Sequence, residues 1–383
     1  MARILFVQPS VQPPGGGNGV AAWMLQALAD RHEVTVVTCT AWDPKAIDAF
    51  FGTSLAPLRI EHRRVAAWWR PVLDTAPIPL QLLRSALLQR HARRLEGSAD
   101  LVVSANNEWP LDGTGVHYVH YPSRARPRPD ADMRWYHRRG PLALYYAVSD
   151  RLADFDAADV RRQVLLANST WTADVIRRVH GADARTVYPP VAGAFVERPW
   201  SAREDVVLSI GRFSPEKRFE RVIAIVETLR KRGHALALTI VAGGGGAYGR
   251  RVRALAAGRS WVTIRSGLTR SALLDLMGRC RYGVHGMVDE HFGMATAELV
   301  EAGCLTFVHR SGGQTEIVRS DDLSYVDVGD AVTRIERAIV DAEHRERLLG
   351  HLAALRGRFA PAAFCTRVQE IVDATLARRT RAA

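Results

Sequence analysis

The sequence predicts an α/β protein built from two doubly wound domains. Three observations carry that expectation. Apolar, β-branched runs of strand length alternate with helix-length segments along the chain, the pattern of parallel sheets with helices packed on them. The alternation restarts after a proline-interrupted stretch, Val187-Tyr-Pro-Pro-Val191 and then Pro199. A length of 383 residues exceeds one ordinary core and suits two domains of usual size.

In chain order, strands are expected at Arg3–Val7, Glu33–Thr38 and Leu101–Ser104, with Val116–Val119 and Val164–Ala167 as further candidates. Gly15-Gly16-Gly17-Asn18-Gly19 lies between the first two and leads into a helix over residues 20–29. The second series places strands at 205–210, 237–241, 261–264, 282–285 and 305–308, each followed by a helix-length segment. The domains are therefore expected at 1–187 and 201–360, joined by a linker at 188–200. A last helix after Pro361, over 361–383, could belong to either domain, packing back on the first being one of the two arrangements.

Composition narrows the class. Hydrophobic residues make up 47% and charged residues 24%, as in soluble globular chains. No apolar run approaches the roughly 18 to 20 residues that a membrane span needs, and the opening apolar stretch is too short for a signal peptide. The cysteines Cys39, Cys280, Cys304 and Cys365 are far apart, without CxxC or metal spacing, and read as reduced thiols of a cytoplasmic protein. The net charge of +12 calls for an anionic partner. Nucleic acid is disfavoured, because no helix-turn-helix, zinc-finger or aromatic RNA-binding signature accompanies the charge. Lysine occurs only at Lys45, Lys217 and Lys231 in an arginine-rich chain, so a retained lysine marks a place where a compact point charge is of use.

Two basic stretches interrupt the first domain. One runs over 62–94 and includes Trp68-Trp69, Pro71, Pro77, Pro79 and a leucine-rich segment; the other runs over 124–139 with Arg124, Arg126, Arg128, Arg134, Arg138 and Arg139. Their mixture of aromatic, apolar and arginine residues suits an anionic membrane surface or a lipid-pyrophosphate acceptor. A solvated face over core leucines explains them equally well.

Two segments of the second domain carry the chemistry. Ser209-Ile-Gly-Arg-Phe-Ser-Pro-Glu-Lys-Arg218 follows a strand, with Gly211 permitting close approach and Arg212 and Lys217 on one loop. Asp289-Glu-His-Phe-Gly-Met-Ala-Thr-Ala-Glu298 places Glu290 before a helix over Met294–Glu301 and Glu298 inside it, with Gly293 at the turn. Free amides at that helix start favour an anion. Carboxylates on either side suit the hydroxyls of a ligand with a diphosphate at its centre. Taken singly, each pair is also what a surface loop or a helix cap would show.

These segments resemble the signature of retaining glycosyltransferases of family 4, in which one glutamate precedes a Phe-Gly and a second lies in the helix after it. Ser311-Gly-Gly-Gln-Thr-Glu-Ile-Val318 matches that family as well. A branch of it, the GDP-mannose-dependent α-1,2-mannosyltransferases that extend dolichol-linked oligosaccharides, is similar at His117-Tyr-Val-His-Tyr-Pro122, Asn168-Ser-Thr-Trp-Thr172, Val187-Tyr-Pro-Pro190 and His285-Gly-Met-Val-Asp-Glu-His-Phe-Gly293. The resemblance implies the GT-B arrangement, two Rossmann-like domains facing each other across a cleft that holds the active site. It implies a nucleotide-sugar donor, GDP-mannose in that branch, a glycan or lipid-linked acceptor, and no cofactor or divalent metal. It assigns His120, Glu290, Arg212 and Lys217 to the reacting sugar and diphosphate. Gly16, Gly17, Gly211, Arg265, Gly293, Met294 and Glu298 would surround the donor, with Glu298 on the ribose and Arg265 beside the base. A cytoplasmic enzyme at the inner membrane face follows from the same likeness. UDP-sugar enzymes share the two-glutamate pattern, so that alternative stays open.

Other signals point elsewhere. Gly244-Gly-Gly-Ala-Tyr-Gly249 is a formal GxGxxG, and Arg265 beyond it would suit a 2′-phosphate, the mark of an NADP-dependent oxidoreductase. It follows the second strand of its domain, whereas the dinucleotide fingerprint belongs to the first. His285 and His291 read as packing residues. Asn168-Ser-Thr170 reads as the cap of a helix from Trp171.

Overall fold

A computed structural model describes residues 1–65, 80–109, 111–125 and 141–382. The tryptophans and prolines of 68–79 and the arginines of 126–139, on which the membrane-surface expectation leans, lie outside the described residues. The chain divides into two compact units, Met1–Ala192 with Ala360–Ala383, and Gly193–Phe359.

The strands of unit 1 are β1 (Arg3–Val7), β2 (Glu33–Thr38), β3 (Ile60–Arg64), β4 (Leu101–Ser104), β5 (Val116–Val119), β6 (Val164–Ala167) and β7 (Ala184–Thr186). They form one sheet in the order β3-β2-β1-β4-β5-β6-β7, every pairing parallel. The helices are α1 (Gly16–Ala29), α2 (Pro44–Phe51), α3 (Gln81–Glu96), α4 (Pro141–Ala153), α5 (Ala157–Arg161) and α6 (Thr170–His180). Central strands are buried from end to end, as a parallel sheet covered on both faces requires.

Unit 2 repeats the plan with β8 (Glu204–Arg212), β9 (Ala237–Gly243), β10 (Val262–Arg265), β11 (Cys280–His285), β12 (Leu305–His309) and β13 (Ser324–Tyr325). Their order is β10-β9-β8-β11-β12-β13, again all parallel. Its helices are α7 (Phe219–Lys231), α8 (Gly246–Ala256), α9 (Arg270–Arg279), α10 (Met294–Glu301), α11 (Thr315–Val318), α12 (Val328–Val340) and α13 (Ala342–Leu355). The last helix, α14 (Pro361–Ala382), lies in unit 1, where Phe364, Val368, Ile371 and Val372 join the core of Phe6, Met24, Leu25 and Tyr118. Gln369 donates from Nε2 to the Ala27 carbonyl of α1 at 2.7 Å.

Several details differ from the expectations. Residues 193–200 belong to unit 2 instead of forming a linker, because Phe195 packs with Leu274 and Arg198 pairs with Asp275 at 2.8 Å. Helix α1 begins at Gly16, not at residue 20. Glycines are poor helix formers, but Asn18 ties the first turn down by donating to the Gln12 carbonyl at 2.6 Å. Gly19 lets the Phe51 ring come close, since a Cβ there would meet it at 3.0 Å. The cap of α6 is Ser169, whose hydroxyl accepts from the Thr172 amide at 3.0 Å, so the helix starts at Thr170. The four cysteines are free thiols, Cys280 and Cys304 buried and the other two half-buried.

Candidate functional site

In a doubly wound sheet, the carboxyl ends of the central strands are where loops converge. In unit 2 these are the ends of β8, β11 and β12. After β8, a single 3-10 turn over Pro215–Lys217 and a left-handed Arg218 (φ 50°) lead into α7. Gly211 leaves room for the Lys217 stem, since a Cβ would meet its Cγ at 3.2 Å and its Cδ at 3.3 Å. Gly286, just past β11, lets the same turn close on that strand: a Cβ there would meet the Arg218 carbonyl at 2.7 Å.

The Lys217 ammonium lies 2.5 Å from Glu290 Oε2 and 3.4 Å from the Met287 sulfur. His285, the last residue of β11, brings its Nε2 to the same carboxylate oxygen at 2.8 Å. The other oxygen, Oε1, accepts from the His291 amide at 3.2 Å. Burial pushes the Glu290 carboxyl upward, but Lys217, the His285 hydrogen bond and the nearby His291 outweigh it and hold the group well below the usual carboxylate range. Burial also lowers His285, which keeps the imidazole neutral. A carboxylate can only accept, so Nε2 of this neutral ring carries the hydrogen.

The backbone around Glu290 is clamped by the Ser311-Gly-Gly-Gln segment. Gly313 donates to the Glu290 carbonyl at 2.7 Å, and Ser311 Oγ accepts from the Asp289 amide at 2.9 Å. Gln314 Nε2 donates to the carbonyls of Met287, His309 and Ser311 at 2.9, 3.1 and 3.0 Å. Gly312, at φ 78°, admits no side chain, because a Cβ would run into the Glu290 backbone.

Gly293 adopts φ 105° at the start of α10, and no side chain caps that helix. Met294 is therefore its first residue, and the opening amides are directed outward from the helix end. Glu298 lies in the second turn and pairs with Arg270 at the start of α9, 2.7 Å away. Arg212 stands apart from the cluster, 81% exposed and 3.6 Å from Glu216. Arg265 ends the edge strand β10 and is exposed. The structure thus brings Gly211, Lys217, Glu290 and Gly293 together and leaves Arg212 and Arg265 outside that set of contacts. His285 and Arg270 are the residues that sequence reasoning missed. The first was read as packing, although its place at the end of a central strand was visible.

The glycine-rich turn 244–249 joins β9 to α8, with Gly244 and Gly246 at φ 85° and 73°. Tyr248, its aromatic member, accepts from the Phe219 amide at 2.8 Å and donates to Glu220 at 2.6 Å. Tyr248 thereby ties α8 to the start of α7.

In unit 1, His120 follows β5. Its Nε2 lies 3.0 Å from the Ala105 carbonyl, an acceptor, so Nε2 carries the hydrogen. Asn107, left-handed at φ 62°, accepts from the amides of His120 and Tyr121 at 2.8 and 3.2 Å. Asn168 donates to the His120 carbonyl at 2.9 Å, and Tyr121 stacks on Trp171. The His120 ring sits against Gly17 in the first turn of α1, where a Cβ would meet its Nε2 at 3.3 Å. Gly16 opens that turn. His117 falls on the opposite face of the strand, as the odd spacing dictates, and is buried against Trp109.

Residues 194–349 match the family described as Glycosyl transferases group 1, and unit 2 is a domain of that family. Over 207 residues the chain is 28% identical to the GDP-Man:Man(3)GlcNAc(2)-PP-Dol alpha-1,2-mannosyltransferase of Dictyostelium discoideum, covering 48% of this chain and 41% of that one. The chain spans under half the length of the curated relatives it matches. Among solved structures, HepE of Anabaena in complex with UDP-glucose superposes with a TM-score of 0.67 at 16% identity, covering 98% of this chain and 100% of that one. Sucrose-phosphate synthase of Thermosynechococcus elongatus gives 0.71 at 16% identity, covering 99% and 100%. These likenesses establish the fold as GT-B, with two parallel-sheet α/β units.

Proposed function

We propose that this protein is a retaining, metal-independent hexosyltransferase that moves mannose from GDP-mannose to a glycan or lipid-linked acceptor. The observation that carries the reading is the Lys217–Glu290–His285 cluster beside the uncapped start of α10. A diphosphate leaving group develops negative charge as the glycosidic bond breaks, and fixed positive groups aimed at it lower the barrier. Lys217, Arg212 and the amides of Gly293 and Met294 supply that charge, so the reading needs no divalent ion. Glu290 and Glu298 accept from sugar and ribose hydroxyls. The motif resemblance gives His120 to the transferring sugar as well. On a retaining path the departing phosphate takes the acceptor's proton on the face it leaves from.

The mannose preference rests on the likeness to the dolichol-pathway mannosyltransferases. A UDP-sugar is the second reading, favoured by the shared fold of a protein solved with UDP-glucose. The basic stretches of unit 1 fit contact with an anionic membrane at the cytoplasmic face. Sedimentation with anionic vesicles at low salt checks that contact; failure to sediment counts against it.

A thermal-shift and hydrolysis panel of GDP-mannose, UDP-glucose, UDP-GlcNAc, GDP and NADPH tests the donor. GDP-mannose and GDP are expected to stabilise the protein. Stabilisation by the UDP series alone overturns mannose, and saturable NADPH binding without any sugar nucleotide overturns the transferase.

A further inference from the structure

We infer that His285 is a positioning residue of the donor site, holding the Glu290 carboxylate in place while Lys217 turns from that carboxylate to the donor's diphosphate. The inference rests on the donor reading above and adds a role that this reading does not require.

In the free protein the Lys217 ammonium is already neutralised. Its Nζ touches Glu290 Oε2 at 2.5 Å, and its side chain is 16% exposed. To act on a diphosphate, the ammonium has to swing away from Oε2 or divide itself between two anions. A lysine can do this, since its charge sits on a flexible four-carbon stem. Beside it lies the soft Met287 sulfur, at 3.4 Å.

The Glu290 backbone cannot follow. Its carbonyl is bonded to Gly313, and it lies against Gly312. Without a second partner, the departure of Lys217 would leave Oε2 buried and unsatisfied, with the His291 amide on Oε1 as the remaining contact. A buried carboxylate stripped of donors takes up a proton or shifts position, and either change removes it as an acceptor for a sugar hydroxyl.

His285 is built to prevent this. Its Nε2–H meets the same oxygen at 2.8 Å. The residue is 3% exposed, and its carbonyl accepts from Tyr325 Oη at 2.6 Å, so the backbone that carries the ring is held at the end of β11. Because the imidazole is neutral, it steadies the carboxylate without adding a second positive charge beside Lys217. The titratable groups facing Glu290 are Lys217 from the turn after β8, His285 from β11 and His291 from its own loop.

The test compares His285→Leu with His285→Gln. Glutamine places an amide N–H close to the position of Nε2, and leucine fills similar space without a donor. GDP-mannose turnover is measured as kcat and donor KM over pH, with Glu290→Ala and Lys217→Ala alongside. Leucine is expected to lower kcat about 30-fold, the worth of one hydrogen bond to a charged group, with a small change in KM. The acid limb of its kcat/KM profile should move upward, because Glu290 loses a donor, and glutamine should recover most of both effects. Equal behaviour of the two variants overturns the inference, whether both match the native protein or both fall together. Should leucine prevent folding, nitrogen-15 shifts of His285 in the native protein decide. A neutral ring protonated at Nε2 agrees, and one protonated at Nδ1 contradicts. Full turnover in Glu290→Ala and Lys217→Ala would sink the donor reading itself, a result distinct from failure at His285 alone.

Discussion

Unit 1 holds His120 with neutral groups: the Ala105 carbonyl, the Asn107 side chain and Asn168. Unit 2 holds Glu290 with a lysine ammonium, an imidazole and one amide. Both sit where a parallel strand ends beside a glycine-led helix, so the fold supplies the same platform twice. The difference lies in what each bracket can respond to. Neutral hydrogen bonds fix geometry and are insensitive to an arriving charge. An ionic bracket is a store of charge that an anionic ligand can redistribute. On the proposed function, unit 1 would do the fixed positioning and unit 2 would meet the developing charge of the reaction.

Glu290→Ala should have the largest effect. It deletes the acceptor and leaves a mostly buried lysine unpaired. Donor turnover is expected to fall about 1000-fold, as for loss of a central electrostatic group, and stability by about 3 kcal/mol, as for a broken buried pair. Kinetics and urea unfolding measure the two. Near-native turnover would erase the distinction between the units.

Lys217→Ala comes next, with donor affinity down about 30-fold from the loss of one charge-assisted contact. Lys217→Arg should not restore it, because the stem runs against Gly211 and a guanidinium is broader than an ammonium. Calorimetric titration of the donor reads both variants.

Asn107→Ala sharpens the other side. Two amides lose their acceptor, and alanine is strained at φ 62°. Turnover should fall about tenfold and stability by about 2 kcal/mol. Asn107→Gly, which relieves the backbone but not the amides, should recover stability more than turnover.

The last effect is on pH. His117 is fully buried, and burial lowers its pKa from the usual 6.5 to about 4. A group depressed on folding contributes stability that is complete above its unfolded pKa and lost as pH falls. The melting temperature should therefore drop progressively from pH 6.5 towards about 4, and His117→Gln should flatten part of that slope.

Much of the fold was legible in the sequence, and the misses have physical causes. Buried parallel strands such as Leu101–Ser104 are continuous apolar runs and show themselves directly. Strand β3, Ile-Glu-His-Arg-Arg, lies at the sheet edge with charged residues outward, so it carries no hydrophobic signal. Strands β7 and β13 have three and two residues, too few for a period. In the site, Lys217 and Glu290 could be proposed from the chain, but their contact spans 73 positions and depends on Gly211, Gly286 and Gly312 admitting close backbones. His285 was hidden for a different reason: a histidine ending an apolar strand looks like packing until its partner is located. Arg270, opposite Glu298, belongs to a different helix and has no motif of its own.

The central claim is that Lys217, neutralised by Glu290 in the free protein, is the cation that receives the donor's diphosphate. Calorimetric titration of GDP-mannose into the native protein and into Lys217→Ala tests it most directly. Saturable binding by the native protein, weakened tenfold or more in the variant on the scale of about 1.4 kcal/mol per decade, is the predicted result. Equal binding by the two proteins, or saturation by NADPH with no heat from any sugar nucleotide, would contradict it.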